Sequence, residues 1–337
     1  MKTIKFCKLL GDAQTVVMLG MCKNAGKTTA LCHLIAELYE TDAAPLAITS
    51  IGRDGESTDL VTGTEKPPIY MFEGMLAATA KELLPLSDVS REILMTTGLH
   101  TSLGEVVIFR ARSDGFVQLA GPGIVEHLER LKEMFRSLRA GRVLVDGALS
   151  RRSPAAAARG GALVLSTGAS LDRDMENVVA ETAFAAEIMM LPQEHLPGKE
   201  MGRFTRFLPD GCSAGLETLQ ALKRMAEEET VLVSGAFTEA QARSFLQSTV
   251  KKDGLTLLVR DAACLMLRRE TYEALKRRGL RFALQQQVGL AAVTVNPVSA
   301  GGWSFPEEVF RERLQAVIPV PVLNVMREGD GDERTDI

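Results

Sequence analysis

The chain has little of what metal, disulfide and membrane proteins need: four histidines, one tryptophan and five cysteines in 337 residues. The cysteines are odd in number and form no C-x-x-C pair, which argues against a disulfide framework and a zinc site. A formal net charge of -4 indicates no basic surface for nucleic acid or anionic lipid. No apolar run reaches the ~20 residues of a membrane span, and the N-terminal residues lack a signal-peptide core. We therefore expect a cytoplasmic protein that binds neither nucleic acid nor membranes.

Short aliphatic runs alternate with segments of helical period, a pattern typical of a parallel sheet covered by helices. We predict an α/β fold, with a doubly wound, mostly parallel sheet followed by a second, smaller α/β unit. The predicted strands are residues 15–19, 45–51, 105–111, 142–148, 162–167, 230–236, 255–261, 291–297 and 320–325.

Composition also suggests domain boundaries. Residues 192–213 are rich in Pro and Gly and weakly periodic, which is typical of a linker. We therefore expect a nucleotide-binding domain over residues 1–191, a linker over 192–213 and a second unit over 214–328. The acidic residues 329–337 are typical of a disordered tail.

One stretch, GMCKNAGKTT at residues 20–29, follows the first predicted strand and opens a helical segment. A strand, a glycine loop and a helix start form the arrangement that binds phosphates, because free backbone N–H groups and the helix dipole face the anion. Here Gly26 permits close backbone approach, Lys27 reaches the β- and γ-phosphates, and the Thr28 hydroxyl binds Mg²⁺. The alternative is a degenerate loop kept as a structural turn.

The first glycine of this loop comes one residue earlier than in the commonest phosphate loop. The spacing G-x5-G-K-T-T resembles the loops of dethiobiotin synthetase, the cobyrinate a,c-diamide synthases and the molybdopterin-guanine-dinucleotide adaptor proteins, within the SIMIBI class of P-loop NTPases. Chromosome-partition and nitrogenase-iron-protein relatives carry a lysine that would fall at Cys22, so that subclass is disfavoured unless Lys23 takes the place of that lysine. The resemblance implies Mg-ATP as cofactor; no N/T-K-x-D guanine motif is present. The expected nucleotide-binding residues are Gly20, Lys23, Asn24, Ala25, Gly26, Lys27, Thr28, Thr29 and Asn296.

A phosphate loop needs carboxylates to organise its metal, and two follow apolar runs. Asp54 comes just after the second predicted strand, and Asp146 ends the fourth, as a Walker-B carboxylate does. We expect Thr28, Asp54 and Asp146 to hold Mg²⁺, with Lys27, Asp54 and Asp146 as catalytic residues. Both aspartates also suit simple turns, since Asp-Gly is a common turn pair.

Weaker candidates surround these residues. Asn296, in VTVNP, resembles the base-reading asparagine of several SIMIBI enzymes, although Asn-Pro also begins turns. Residues 121–123, Gly-Pro-Gly, lie at a predicted helix start, where a second anion could bind; the alternative is a plain strand-to-helix turn. Lys66, in the same loop as Asp54, resembles the lysine after the second strand of dethiobiotin synthetase.

Two resemblances imply different functions. The stretches SIGRDGE, EKPPIYMFEGMLAATA and LVDGALSRRSPAA resemble proteins of amino-acid-fermentation operons that serve as the reactivase subunit for lysine 5,6-aminomutase. That resemblance implies a nucleotide-driven switch or chaperone whose client is an adenosylcobalamin-dependent aminomutase. The alternatives are an ATP-dependent ligase of the dethiobiotin synthetase type, which activates a small acceptor, and a non-catalytic nucleotide-binding scaffold. A homodimer stays open.

Overall fold

The computed structural model describes residues 5–51, 69–147, 161–195, 198–208, 212–216, 229–247 and 254–325. The chain divides into two compact units. The large unit comprises Met1–Ala183 together with Gly289–Ile337, and the small unit comprises Phe184–Val288. No helix among the described residues is long and apolar enough to cross a membrane.

The large unit is built on a sheet that has nine strands in the described part of the chain. Its order is β18-β17-β9-β1-β8-β2-β4-β6-β5. The strands are β1 (Thr15–Gly20), β2 (Leu46–Ser50), β4 (Leu76–Ala80), β5 (Arg91–Thr101), β6 (Gly104–Ala111), β8 (Arg142–Asp146), β9 (Ala162–Gly168), β17 (Gly289–Asn296) and β18 (Val322–Leu323). Strands β18 to β4 in this order are parallel, whereas β6 runs antiparallel to both β4 and β5.

The centre of this sheet is buried along its whole length. Every residue of β1, β2 and β9 is buried, as expected for strands that are covered on both faces. A separate antiparallel pair joins β3 (Ile69–Met71) to β7 (Gly115–Val117). The sequence-based prediction of an α/β fold with a mostly parallel sheet is confirmed.

Three described helices lie wholly within the large unit: α1 (Lys27–Thr41), α2 (Val125–Ser137) and α6 (Glu307–Val317). Helix α3 (Met175–Met189) begins in the large unit and ends in the small one, since the division falls after Ala183. Helix α1 buries Leu31, Leu34, Ile35 and Leu38, whose three- and four-residue spacing lies on one face of a helix. These side chains pack in one core with Val16 and Met18 of β1. The packing fixes the start of α1 beside the end of β1.

The small unit has its own sheet, in the order β11-β10-β12-β14-β16 over the described residues. Its strands are β10 (Phe204–Phe207), β11 (Ser213–Leu216), β12 (Thr230–Val233), β14 (Thr256–Val259) and β16 (Arg281–Leu284), with a short parallel pair of β13 (Phe237–Thr238) and β15 (Leu265–Met266). Strands β12, β14 and β16 are parallel, and β10 and β11 are antiparallel. Helices α4 (Glu239–Gln247) and α5 (Arg269–Arg277) complete a separate apolar core.

The domain boundaries differ from those expected. The small unit ends at Val288, and β17 pairs with β9 in the large sheet instead of continuing the second unit. The expected linker 192–213 contains β10, which pairs with β12. Both differences have one cause: pairing between strands distant in sequence decides which sheet a strand joins. The predicted tail at 329–337 lies outside the described residues.

Candidate functional site

The parallel strands of the large sheet end at one edge, and the GMCKNAGKTT segment lies there. In the strand register, Gly20 of β1 pairs with Ser166 of β9, and Met18 pairs with Asp146 of β8. The Met21 N–H then donates to the Ser166 carbonyl at 2.9 Å. The loop after β1 is thereby fixed to the neighbouring strand before α1 begins.

The loop turns twice through the left-handed region of backbone space. Asn24 has a φ of 61° and Gly26 a φ of 84°. Asparagine tolerates this region better than most residues, and glycine adopts it freely. A Cβ on Gly26 would also lie 3.1 Å from the Cβ of Asn296. Backbone conformation and this close neighbour together require glycine at position 26.

Asn296, at the end of β17, supports the loop directly. Its Nδ2 donates to the Asn24 carbonyl at 2.9 Å, and its Oδ1 accepts from the Val298 N–H at 3.1 Å. The structure therefore brings Asn296 to the phosphate-type loop, although the two are far apart in sequence. The contact is to the backbone of the loop.

The two strongest sequence candidates of opposite charge are in contact. Lys27 Nζ, on the first residue of α1, donates to Asp146 Oδ1 at the end of β8. Only 20% of the Lys27 side chain and 12% of the Asp146 side chain are exposed, so this ion pair is largely shielded from water. The Asp146 carbonyl accepts the Ile51 N–H at 2.9 Å, which continues the pairing of β8 with β2.

In the part of the chain that is described, the first turn of α1 has backbone N–H groups without a capping partner. Gly26 is the N-cap and makes no side-chain cap, and the first turn contains no acidic residue. The intrahelical bonds begin with Ala30 N–H to the Gly26 carbonyl at 2.9 Å. The N–H groups of Lys27, Thr28 and Thr29 come before that bond, in the position where helix starts bind anions.

The described metal-ligand candidates are Thr28 and Asp146. Within the described ranges, no group of three or more His, Cys, Asp or Glu side chains could hold a metal ion. Two protein oxygens suit Mg²⁺ only where phosphate and water oxygens complete six-fold coordination. Asp54, the third expected ligand, lies outside the described residues, as do Lys66 and residues 148–160 after β8.

Two cysteines border the site and stay neutral. Burial raises the pKa of the Cys22 thiol in the loop. Burial also raises the pKa of Cys32 on α1, with a smaller contribution from the charge of Asp146. Because both thiols are neutral, neither adds a negative charge next to the contact between Lys27 and Asp146.

Of the two alternatives for residues 121–123, the structure shows the plain strand-to-helix turn, because α2 starts at Val125, with Ile124 as its N-cap. Gly121 instead packs against the end of β2, where its N–H donates to Ser50 Oγ at 3.0 Å and an added Cβ would lie 1.9 Å from the Ser50 carbonyl oxygen. Close contact with a neighbouring strand, and not a helix cap, explains this glycine.

Ser50 lies at the edge of the candidate site and was not predicted from the sequence. It pairs in register with Asp146, and so the end of β2 lies beside the carboxylate. The adjacency depends on the order of strands in the sheet, for which the local sequence carries no signal.

The chain was compared with families, with individual proteins and with known folds. No protein-family model, no curated protein and no solved structure matches it. The residues of this chain must therefore carry any functional conclusion.

Proposed function

We propose that this chain is an Mg-ATP-binding P-loop NTPase that acts as a nucleotide-driven switch on a client enzyme. The observation that carries the proposal is the shielded contact between Lys27 Nζ and Asp146 Oδ1, at the loop between β1 and α1. In a P-loop protein these residues have separate partners, a phosphate for the lysine and a magnesium ion or its water for the carboxylate. The proposal includes the finer fold assignment, a doubly wound P-loop domain.

The ion pair explains why nucleotide and metal would bind together. A lysine and a carboxylate that are 20% and 12% exposed are each costly to leave alone. ATP without metal would satisfy Lys27 and leave Asp146 facing a polyphosphate of like charge. Mg-ATP supplies a new partner to each residue at once, and Thr28 adds a hydroxyl ligand at the helix start.

The strand order supports a switch. Asp146 pairs in register with Ser50, the last residue of β2, and the Ile51 N–H bonds to the Asp146 carbonyl. The sequence then continues directly into residues 52–68, which include Asp54. Exchange of the Asp146 partner from Lys27 to a metal would therefore change the charge next to the start of that segment. Order changes around a γ-phosphate and its metal are a common basis of NTPase switches.

Binding is tested by the melting temperature of the full chain with ATP, with and without Mg²⁺. At a thousandfold excess over Kd we expect a stabilisation of about 4 kcal/mol, which requires both ATP and Mg²⁺. Lys27→Ala and Asp146→Asn should each abolish the shift, while Lys5→Ala, a surface control paired with Glu40, should keep it. A nucleotide shift that survives both site variants would contradict the proposed site.

The client is tested by ATP turnover. If the chain is a reactivase switch, an adenosylcobalamin-dependent aminomutase that has been inactivated should accelerate hydrolysis and regain activity. Turnover that depends instead on a small carboxylic acid or amine acceptor, with no protein added, would support the ligase. ATP binding without turnover under either condition would leave only the scaffold.

A further inference from the structure

A second edge where parallel strands end, in the small unit, has buried polar atoms without hydrogen-bond partners among the described residues. Strands β12, β14 and β16 are parallel, with Val233, Val259 and Leu284 in one register. Two residues beyond these lie Gly235, Asp261 and Gln286, respectively. Ligands of open α/β sheets collect at this edge, outside the carboxyl ends of the strands.

Asp261 is buried, and among the described residues only one of its two carboxylate oxygens has a hydrogen-bond partner. Its side chain is 2% exposed, and Oδ2 accepts from Arg260 Nε at 3.1 Å. The other oxygen, Oδ1, is buried and has no hydrogen-bond partner in the described structure. Because a buried acceptor without a donor destabilises the fold, such an atom in a native fold needs an explanation.

A second acceptor without a donor adjoins the first. Gln286 Oε1 is also buried, with no hydrogen-bond partner in the part of the chain that is described. The Gln286 N–H donates to the Arg260 carbonyl at 2.9 Å, and so the backbones carrying Asp261 and Gln286 are in direct contact. Two acceptors that lack donors therefore lie on adjoining chain segments at one sheet edge.

Gly235, just past the end of strand β12, is next to open space among the described residues. Gly235 has a φ of 103°, and a Cβ built on it would have no atom within 4 Å among the described residues beyond its chain neighbours. A glycine in a left-handed conformation next to open space is one way in which a backbone lets a ligand approach. Strand β12, which ends two residues before Gly235, pairs directly with β14, which ends two residues before Asp261.

The charge balance of this edge selects the ligand. Arg260 already neutralises Asp261, and its pKa is raised chiefly by its hydrogen bond to that carboxylate. Burial, followed by the charge of Asp261, raises the pKa of the Cys264 thiol, so Cys264 stays neutral. A cationic ligand would add a buried charge without a counter-ion, whereas a neutral NH₂ group offers two N–H donors to two acceptors.

We propose that the edge formed by Gly235, Asp261 and Gln286 binds a neutral ligand through a planar NH₂ group, donated to Asp261 Oδ1 and Gln286 Oε1. The two sources of such a group are a primary carboxamide and an amino-substituted purine or pyrimidine. This site is independent of Lys27 and Asp146 and does not rest on the nucleotide function proposed above.

The test uses the full chain, labelled for amide NMR, with nicotinamide as the carboxamide probe and adenine as the aminopurine probe. Titration should extend to about 10 mM, since ligands of so few atoms bind weakly. Methyl nicotinate and hypoxanthine are matched neutral controls, because each carries oxygen in place of the NH₂ group. We expect one NH₂ probe to shift the amides of Gly235 and Gln286, and its oxygen analogue to bind at least about tenfold more weakly.

Variants locate the binding. Asp261→Asn and Gln286→Met each remove an acceptor with little change in volume, and each should weaken the NH₂ probe by about tenfold or more. Lys27→Ala should titrate as wild type, which separates this site from the nucleotide site. If Asp261→Asn does not fold, Gln286→Met decides. The proposal is overturned if neither probe shifts these amides, or if the folded variants bind like wild type.

Discussion

The main sheet of each unit has an aspartate at the carboxyl end of a parallel strand, and these two aspartates have different partners. Asp146, at the end of β8, is paired with Lys27, which is itself mostly buried. Asp261, two residues past β14, is paired through one oxygen with Arg260, whose side chain is 55% exposed, and its other oxygen has no described partner. The first aspartate belongs to an ion pair that is shielded from water on both sides, and the second has one oxygen without a hydrogen-bond donor among the described residues. Burial alone therefore does not indicate how much an aspartate stabilises its fold.

We expect the largest change in the free energy of unfolding when the ion pair between Lys27 and Asp146 is broken. Asp146→Leu leaves Lys27 without its carboxylate, and we expect a loss of about 2–4 kcal/mol in the free energy of unfolding, because a shielded charge is left alone. Lys27→Met combined with Asp146→Leu should recover part of that loss. Urea unfolding followed by the fluorescence of Trp303, the one tryptophan, reports on the large unit.

A matched control comes from an exposed pair in the same unit. Glu176 contacts Arg313, with side chains 61% and 55% exposed, so Glu176→Gln should change stability by less than about 0.5 kcal/mol. A double variant as unstable as Asp146→Leu alone would contradict the importance assigned to the pair.

A smaller effect is expected where the small unit satisfies a buried polar group. Tyr272 donates to Glu187 Oε1 at 3.0 Å, so Tyr272→Phe should cost about 1 kcal/mol at pH 7. Burial, with the charge of Glu187, raises the pKa of Tyr272 far above its ordinary value of 10.0. The unfolded tyrosine ionises near pH 10 while the folded one stays protonated there, so this contribution is complete below pH 10 and is lost as the pH rises further.

The measurement is urea unfolding followed by circular dichroism between pH 7 and pH 11. The wild type should lose stability above the ordinary tyrosine pKa more steeply than Tyr272→Phe does. Parallel curves for the two proteins would show that the hydroxyl is not held neutral by the fold.

The smallest effect is expected at the open acceptor. Asp261→Asn keeps the shape of the side chain, gives up an ion pair to an exposed arginine, and removes no bond from Oδ1. We expect the free energy of unfolding to change by less than about 1 kcal/mol. Hydrogen exchange of the β14 and β16 amides measures it locally. A loss as large as that of Asp146→Leu would mean that Asp261 serves the fold, and would count against a ligand site.

Much of the architecture could be predicted from local pattern. The long apolar runs that became β1, β8, β9 and β17 are confirmed as strands, because strands covered on both faces need apolar residues throughout. Strand β5 was missed, since its mixed exposure at the sheet edge leaves little apolar signal. The antiparallel direction of β6 was also missed, because direction depends on which strands pair.

The site was predictable only in part. The sequence proposed Lys27, Asp146, Asn24, Gly26 and Asn296 as nucleotide-site residues, and the structure brings these five together. The sequence did not point to Asp261 or Gln286. Neither belongs to a spaced motif, and each became notable only when its burial and its hydrogen bonds were known.

The sequence by itself determined the alternation of strands and helices and the glycine loop before α1, because periodicity and backbone freedom are local properties. The tertiary structure alone decided that β17 returns to the large sheet, that Lys27 contacts Asp146, and that Asp261 Oδ1 has no hydrogen-bond partner among the described residues. These facts depend on strand order and burial, which arise from contacts between residues far apart in the chain. The local sequence does not determine whether the carboxylate oxygens of an aspartate find hydrogen-bond donors. The residues packed around the aspartate in the folded structure decide it.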